Sequence, residues 1–267
     1  MARNLFDLTG RVVLATGANS GIGLGFLMGC ARQGADVVVW GRRADRNAQA
    51  VEKLREAGAK QAHAEIVDVS DEAQVKRGFD ATLEIMGRVD CVFANAGFTS
   101  RATSFPDMSN EMYHELLNTN LHGAFYTLRE ATRHMRDRAQ AGNPGGSIVV
   151  CGSLSIFYGL QGMEHYAGAK GALAAMVKGL AVEMGQYGVR VNMIAPGFIM
   201  TEMTQASSKV QEKVQEMVKH FSAITPLGRP GYPEDIEGPA AYLASDASGF
   251  HTGDILVVDG GRTVKSL

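Results

Sequence analysis

The chain has 267 residues, 45% of them hydrophobic and 20% charged, with a net charge of −2. That length holds one large α/β domain or two small ones around a sizeable core. The charge balance lacks the basic excess that marks nucleic-acid or anionic-membrane partners, so neither is expected. Three cysteines, Cys30, Cys91 and Cys151, lie far apart, which fits a reducing cytosol. The 7 histidines are scattered, with no ligand pair beside an acid, so no metal site is expected. The first residues carry no apolar signal region, and no apolar run reaches the length of a membrane span. A cytoplasmic protein is the expectation.

Residues 12–15 form a short apolar run that ends in Thr16-Gly17-Ala18-Asn19-Ser20-Gly21-Ile22-Gly23, and a helical segment then runs to Gln33 and Gly34. This order reads as strand, glycine turn, helix and glycine stop. The alternation continues with strand 37–40, helix 44–57, strand 64–68, helix 71–86 and strand 90–94. A long helix over 110–138, strand 147–151, a helix over 164–186, strand 189–195 and a final strand at 255–258 follow. Continuous apolar strands between helices predict an α/β fold, a doubly wound parallel sheet with helices on both faces. No composition shift marks a linker, so a single domain over 1–267 is expected. The most loop-like run, 141–146, only joins helix to strand.

Three stretches carry chemistry. Gly17, Gly21 and Gly23 stand where the first strand turns into the first helix, where glycines let backbone N–H groups and a helix N-terminus approach a pyrophosphate. Their spacing differs from the common G-x-G-x-x-G. At the end of the second strand the chain reads Trp40-Gly41-Arg42-Arg43. An acid there would bind ribose hydroxyls, whereas arginine accommodates a 2′-phosphate. Arg42 and Arg43 therefore favour NADP(H), with NAD(H) served by Asp45 as the other candidate. Tyr166 and Lys170 lie four residues apart in a helical segment and share a face. A fixed ammonium about 4 Å from the phenol would lower its pKa from about 10 toward neutrality, giving a proton donor and acceptor for a carbonyl or alcohol oxygen.

With these motifs in hand, the chain resembles the short-chain dehydrogenase/reductase family over nearly its whole length, which implies a Rossmann fold. The 16–23 stretch looks like that family's cofactor loop, with Gly17, Asn19, Ser20, Gly21, Ile22 and Gly23 as contacts. Asp68-Val69 resembles its adenine contact and Asn95-Ala96-Gly97 its motif after the fourth strand. Asn118-Thr119-Asn120 matches the helix that supplies an active-site asparagine, Asn120. Ser153 matches the catalytic serine, thirteen residues before Tyr166. Pro196, Gly197, Ile199 and Thr201 resemble the segment that holds nicotinamide, and residues 226–231 and 258–261 its C-terminal signatures. Two departures stand out. Gly152 replaces the first serine of the usual pair, and Ser20 stands where many NADP-dependent members carry a basic residue.

The resemblance implies an oxidoreductase that interconverts a secondary alcohol and a ketone with a nicotinamide cofactor. Tyr166 is then the general acid. Lys170 lowers its pKa and holds a ribose hydroxyl, Ser153 bonds the substrate oxygen, and Asn120 holds a water linking Lys170 to solvent. Residues 198–225 carry an amphipathic helix with Val210, Val214, Met217, Val218 and Phe221 on one face and Lys209, Glu212, Lys213 and Glu216 between them, which serves either core packing or, the favoured reading, a lid over the substrate. Arg101 and His165 are the nearby candidates for an anionic substrate group. A homotetramer is implied, with helices 110–138 and 164–186 in one interface and the last strand in another. Two other readings stay open. One is a 3-oxoacyl carrier-protein reductase, with Arg129, Arg133, Arg136 and Arg138 as a docking face. The other is a dinucleotide-sensing regulator without catalysis.

Overall fold

The computed structural model describes residues 4–201 and 208–265, with the side chains of 208–213 outside the description. Seven strands pair in parallel in the order β3-β2-β1-β4-β5-β6-β7. They are β1 (Val12–Thr16), β2 (Asp36–Gly41), β3 (Ala62–Ile66), β4 (Cys91–Ala94), β5 (Gly146–Cys151), β6 (Val189–Pro196) and β7 (Ile255–Val258). The helices are α1 (Gly21–Ala31), α2 (Ala44–Glu56), α3 (Glu72–Met86), α4 (Asn110–Leu117), α5 (Ala124–Gln140), α6 (Glu164–Met184), α7 (Ser208–Ile224) and α8 (Glu234–Ala244).

Side-chain alternation along the strands builds two cores. Val13, Ala15, Val37, Val39 and Phe93 pack beneath α1, α2 and α8. Their neighbours Val12, Leu14, Val38, Trp40 and Val92 pack on the other face, beneath α3, α5 and α6. Strands buried on both faces are why the sequence shows continuous apolar runs there. The doubly wound sheet is as expected, and its strand order reverses between β1 and β4. That reversal opens a crevice at the carboxyl ends of the strands.

Three elements differ from expectation. The third strand begins two residues early, so Asp68 and Val69 lie beyond its end, at the mouth of the crevice. The long helix is interrupted by a π-helical turn, Asn118–Gly123, between α4 and α5. Helix α8 was not legible, because Pro233, Gly238 and Pro239 read as loop punctuation. Tertiary packing overrides that propensity. Gly25 and Gly29 of α1 lie one turn apart, and a Cβ on Gly25 would stand 2.5 Å from the Pro233 carbonyl oxygen, so α8 rests its backbone directly on α1.

Candidate active site

The turn between β1 and α1 is built for close approach. Gly17 and Gly21 have φ of +61° and +56°, in the left-handed region. A Cβ on Gly17 would lie 2.9 Å from the Ala96 Cα, and one on Gly23 would meet the Asn95 amide at 2.5 Å. The loop after β4 is fastened to this turn. The Thr16 hydroxyl accepts from the backbone N–H groups of Asn95 and Ala96 at 3.0 and 2.9 Å, and Asn95 Nδ2 donates to the Thr16 carbonyl at 2.9 Å. Gly97 follows, exposed. Ser20 caps α1 without a side-chain hydrogen bond, and the first turn contains no acid. The N–H groups of that turn, which includes Ile22 and Gly23, thus meet no side-chain acceptor from Ser20. This glycine cradle fits a dinucleotide pyrophosphate.

Two arginines lie past β2. Arg42 is 72% exposed at its side chain and stands 3.7 Å from Asp68 Oδ2. Burial pushes the Asp68 carboxyl up, but hydrogen bonds from Ser70 and the Arg42 guanidinium outweigh it and hold the group below its usual range. Val69 is buried and packs against Gly123 of the π turn. Arg43 is exposed at the N-cap of α2. Gly41 is the last residue of β2, and the space beside it is filled. Asn19 Nδ2 donates to Asn47 Oδ1 at 2.8 Å, while Asn47 Nδ2 donates to the carbonyls of Gly41 and Glu65. A side chain at position 41 would collide with both amides. Asn47 is therefore a positioning residue that the sequence did not single out.

Ser153 leaves β5 in extended conformation, and its Oγ accepts from the Ser155 N–H at 3.1 Å. Tyr166 sits in the first turn of α6 and Lys170 one turn on. Burial pushes the Tyr166 phenol up to about 12, opposed by its hydrogen bond with Ser153. Lys170 is 4% exposed, and its Nζ donates to the Cys151 carbonyl at 2.7 Å. It stands 5.8 Å from the centroid of the Tyr166 ring. Burial also pushes the Lys170 ammonium below its usual range. Its charge is directed to a backbone carbonyl, and desolvation dominates both groups.

Asn120 is 1% exposed in the π turn, with Oδ1 accepting from the Phe98 N–H at 3.0 Å and Nδ2 donating to the Phe98 carbonyl at 2.8 Å. Both ends of its amide hold the loop after β4. The departure at Gly152 gains a cause. A Cβ there would lie 2.7 Å from Met193 Cγ, so the buried thioether of β6 occupies the place of a serine side chain.

The segment after β6 closes the crevice. The Gly197 N–H donates to the Val258 carbonyl at 2.9 Å, and the Met200 N–H donates to the Gly231 carbonyl at 2.8 Å. Ile199 bridges to Gly231. A Cβ on Gly21 would lie 3.0 Å from Thr201 Cγ2, so this segment reaches the glycine turn. Helix α7 forms as expected. Phe221 stacks on Phe198 with centroids 3.7 Å apart, and Val214 and Val218 line a cleft of about 800 Å³ with Leu24 and Met28 of α1. Met217 is instead 37% exposed. Residues 202–207 and the side chains of Lys209, Val210, Glu212 and Lys213 lie outside the described residues.

The two candidates for an anionic group are otherwise engaged. Arg101 Nε donates to the Gln161 carbonyl at 3.0 Å, and His165 is 3% exposed with Nε2 at 2.8 Å from Ser100 Oγ. The proposed docking arginines also have partners. Arg129 pairs with Glu72, Arg133 with Glu130, Arg136 with Asp137 and Arg138 with Asp90. Among the described residues no group of three metal-ligating side chains occurs, and no helix is long and apolar enough to cross a membrane.

A family model described as enoyl-(acyl carrier protein) reductase matches residues 17–263. An L-rhamnose 1-dehydrogenase (NAD(P)(+)) from Sphingomonas sp. (strain SKA58) is 36% identical, covering 97% of this chain and 98% of that protein. A gluconate 5-dehydrogenase from Gluconobacter oxydans (strain 621H) is also 36% identical, over 98% of each chain. The crystal structure of a gluconate 5-dehydrogenase from Burkholderia cenocepacia J2315, in complex with NADP and tartrate, superposes with a TM-score of 0.86 at 31% identity over 98% of each chain. Sequence match, sheet order and crevice agree along the whole length, and the chain belongs to the short-chain dehydrogenase/reductase family, NAD(P)-dependent oxidoreductases that act on CH–OH groups.

Proposed function

We propose that the chain is an NADP(H)-preferring carbonyl reductase and alcohol dehydrogenase in which Tyr166, Ser153 and Lys170 are the catalytic residues. The carrying observation is the Ser153 side chain set against the Tyr166 phenol, whose pKa it draws down, beside a buried Lys170. When bound, the nicotinamide supplies or accepts the hydride. The glycine turn and Thr201 would hold the cofactor, with Pro196, Gly197 and Ile199 along its nicotinamide end and Asp68, Val69, Asn95, Ala96 and Gly97 along its adenosine side. Ser153 bonds the substrate oxygen and stabilises charge developing there. Tyr166, protonated at neutral pH, delivers its proton to that oxygen in the reductive direction. Lys170 holds a ribose hydroxyl. Asn120 is a positioning residue for the loop after β4. A tyrosine still protonated and hydrogen-bonded to a serine supports catalysis over a regulator that only senses dinucleotides.

Arg42 would release its loose pair with Asp68 and take the 2′-phosphate, with Arg43 sharing the load. NADP in the Burkholderia relative supports this preference. The site is at the surface, so the gain is about ten- to a hundredfold in kcat/KM. Arg42→Ala should lose most of it, and the measurement is kcat/KM with both cofactors. Equal or better use of NAD(H) by the unmodified enzyme would reduce Arg42 and Arg43 to a solvated turn. Substitution at Gly41 is the wrong instrument, because Asn19 and Asn47 leave no room there.

The substrate is a small-molecule alcohol or ketone, with α7 as a lid over it. For carrier-protein reduction, the Arg138 side chain is largely buried against Asp90, which leaves the more exposed Arg129, Arg133 and Arg136 as the docking face. Turnover of a small-ketone panel without turnover of an acetoacetyl thioester is the expected result. We place the enzyme in the cytoplasm, free of nucleic-acid and membrane partners, as a homotetramer. The exposure of Val182 on α6, at 85%, and of Phe125 on α5 supports an assembly over these helices. Light scattering giving a monomer mass at low micromolar concentration would reject it.

A further inference from the structure

A guanidinium remote in sequence from the motifs reaches the loop between Ser153 and Tyr166. Arg262 follows the end of β7, and its Cζ lies 5.5 Å from the centroid of the Tyr158 ring. β5, β6 and β7 are adjacent and parallel, so their carboxyl ends open on one edge. The turn that carries Arg262 packs on the nicotinamide segment, since a Cβ on Gly197 would lie 2.8 Å from the Asp259 Cα. Arg262 and Tyr158 are both partly buried. Among the described residues the Arg262 guanidinium has neither an ion pair nor a hydrogen bond. The adjacent carboxylate, Asp259, is committed elsewhere: it accepts from the Gly261 and Thr263 N–H groups and from the Thr263 hydroxyl. A stacked, partly desolvated guanidinium with all its donors unused presents a planar fork that matches a carboxylate.

We propose that Arg262 is a specificity-determining residue that binds a carboxylate on the substrate, which makes open-chain hydroxy and keto acids the preferred substrate class. This rests on the oxidoreductase reading above. The Tyr158 ring lies against the guanidinium at the loop that joins Ser153 to Tyr166. Arg101, on the loop between β4 and α4, is exposed and already donates to Gln161, which leaves Arg262 as the better-placed receptor.

The test compares sugar acids of four to six carbons with their amides, which keep the shape and lose the charge. Calorimetric titration of the enzyme saturated with NADP⁺ gives Kd, and steady-state oxidation gives kcat and KM. The acids should bind at least about tenfold more tightly than their amides. Arg262→Gln should remove that advantage, acting on Kd and KM rather than kcat, while amide binding stays unchanged. Arg262→Lys should recover part of it, as a point charge without the fork. No acid binding better than its amide in the unmodified enzyme would overturn the proposal. So would equal losses for acid and amide in Arg262→Gln, or a change of mass by light scattering that accounts for the loss. Turnover of neutral ketones with no acid preference would sink this inference alone, whereas no turnover of any alcohol or ketone would sink the oxidoreductase reading.

Discussion

The two ends of the one sheet are built on opposite rules. At the amino end, below β1 and β4, Asp90 is 4% exposed and surrounded by bases. Arg88 and Arg138 reach its Oδ1 at 2.6 and 2.8 Å, Arg11 stands 4.0 Å away, and the Val12 N–H donates to Oδ2. Arg138 also donates to the carbonyls of Val89 and Gly145. The charge there is multiply bonded, which makes the end a fastener. At the carboxyl end, α1 begins without a side-chain cap, Ser153 lies beside the Tyr166 phenol, and Lys170 donates to a carbonyl. Donors with unused capacity are the requirement for binding a cofactor and a substrate oxygen. Function and stability should therefore separate cleanly between the two ends.

The largest expected effect is on activity at the carboxyl end. Tyr166→Phe keeps the ring and removes the donor, and kcat should fall by about 10²–10⁴-fold. NADPH affinity, read by fluorescence titration, and Tm should stay close to the original. Substantial residual kcat would remove Tyr166 from its role. The raised phenol fixes the sign of the pH dependence. A tyrosine pushed up to about 12 stays protonated through neutral pH, so reduction should be flat there. Oxidation, which needs the proton acceptor, should rise with pH by up to about tenfold per unit. A reductive rate that falls as pH rises from 6 to about 8 would show that another cation lowers Tyr166 in the working complex.

At the amino end the effect should be on stability alone. Asp90→Ala leaves three guanidiniums and one N–H without their shared acceptor. Removing one partner of a buried pair costs about 3–5 kcal/mol. Arg88 and Arg11 are 37% and 42% exposed and can rehydrate, so the lower end of that range applies. A fall in Tm of roughly 6–12 °C is expected. With the protein still folded at assay temperature, kcat/KM should be unchanged. Loss of activity without loss of stability would erase the division between the ends.

What was legible in the sequence follows the same division by cause. Strand and helix placement rested on local periodicity, and the doubly wound sheet came out as read. The glycine turn and the Tyr166–Lys170 spacing were legible because each motif lies within one short stretch. The contacts that fix the site are mostly long-range. Asn47 holds Asn19 and Gly41, Phe98 takes up the amide of Asn120, and Met193 fills the space beside Gly152. Nothing local announces these partners. Helix α8 shows the converse, since Gly238 and Pro239 argue against a helix that packing on α1 nevertheless sustains. Four-residue spacing put Lys170 and Tyr166 on one face but could not show the Cys151 carbonyl that takes the ammonium.

Gly152 and Met193 bring the two rules into contact, because packing there abuts Ser153. Gly152→Ser restores the family's usual pair but forces its side chain against a fully buried thioether. Overpacking of this kind costs about 1–3 kcal/mol. Met193→Ala opens the space, so the double variant should be more stable than the sum of the two single changes predicts. A double-mutant cycle in denaturant measures that coupling. Additive stabilities would show that Met193 can swing aside and that glycine at 152 has another cause.

The smallest expected effect is the acid sensitivity of His165. It neighbours Tyr166, is 3% exposed, and its Nδ1 has no hydrogen-bond partner. Burial holds its imidazolium form below the usual histidine range, with Glu164 only partly opposing. The folded chain therefore resists a proton that the unfolded chain accepts. Above the ordinary histidine pKa of about 6.5 both states are neutral, and the group adds no pH dependence. As pH falls below that value the unfolded state binds the extra proton first, and stability drops until the folded value is reached. His134 on α5, also lowered by burial, acts with the same sign. Protonating His165 would also put a charge behind Ser100 and loosen the loop that Asn120 holds. The measurement is Tm at pH 7.5, 6.5 and 5.5 for the original chain and for His165→Gln, which keeps a polar contact to Ser100 but does not titrate. The original should lose more stability over the acid step than the variant. Parallel curves would assign the acid response to other groups and leave His165 a passive spacer in the first turn of α6.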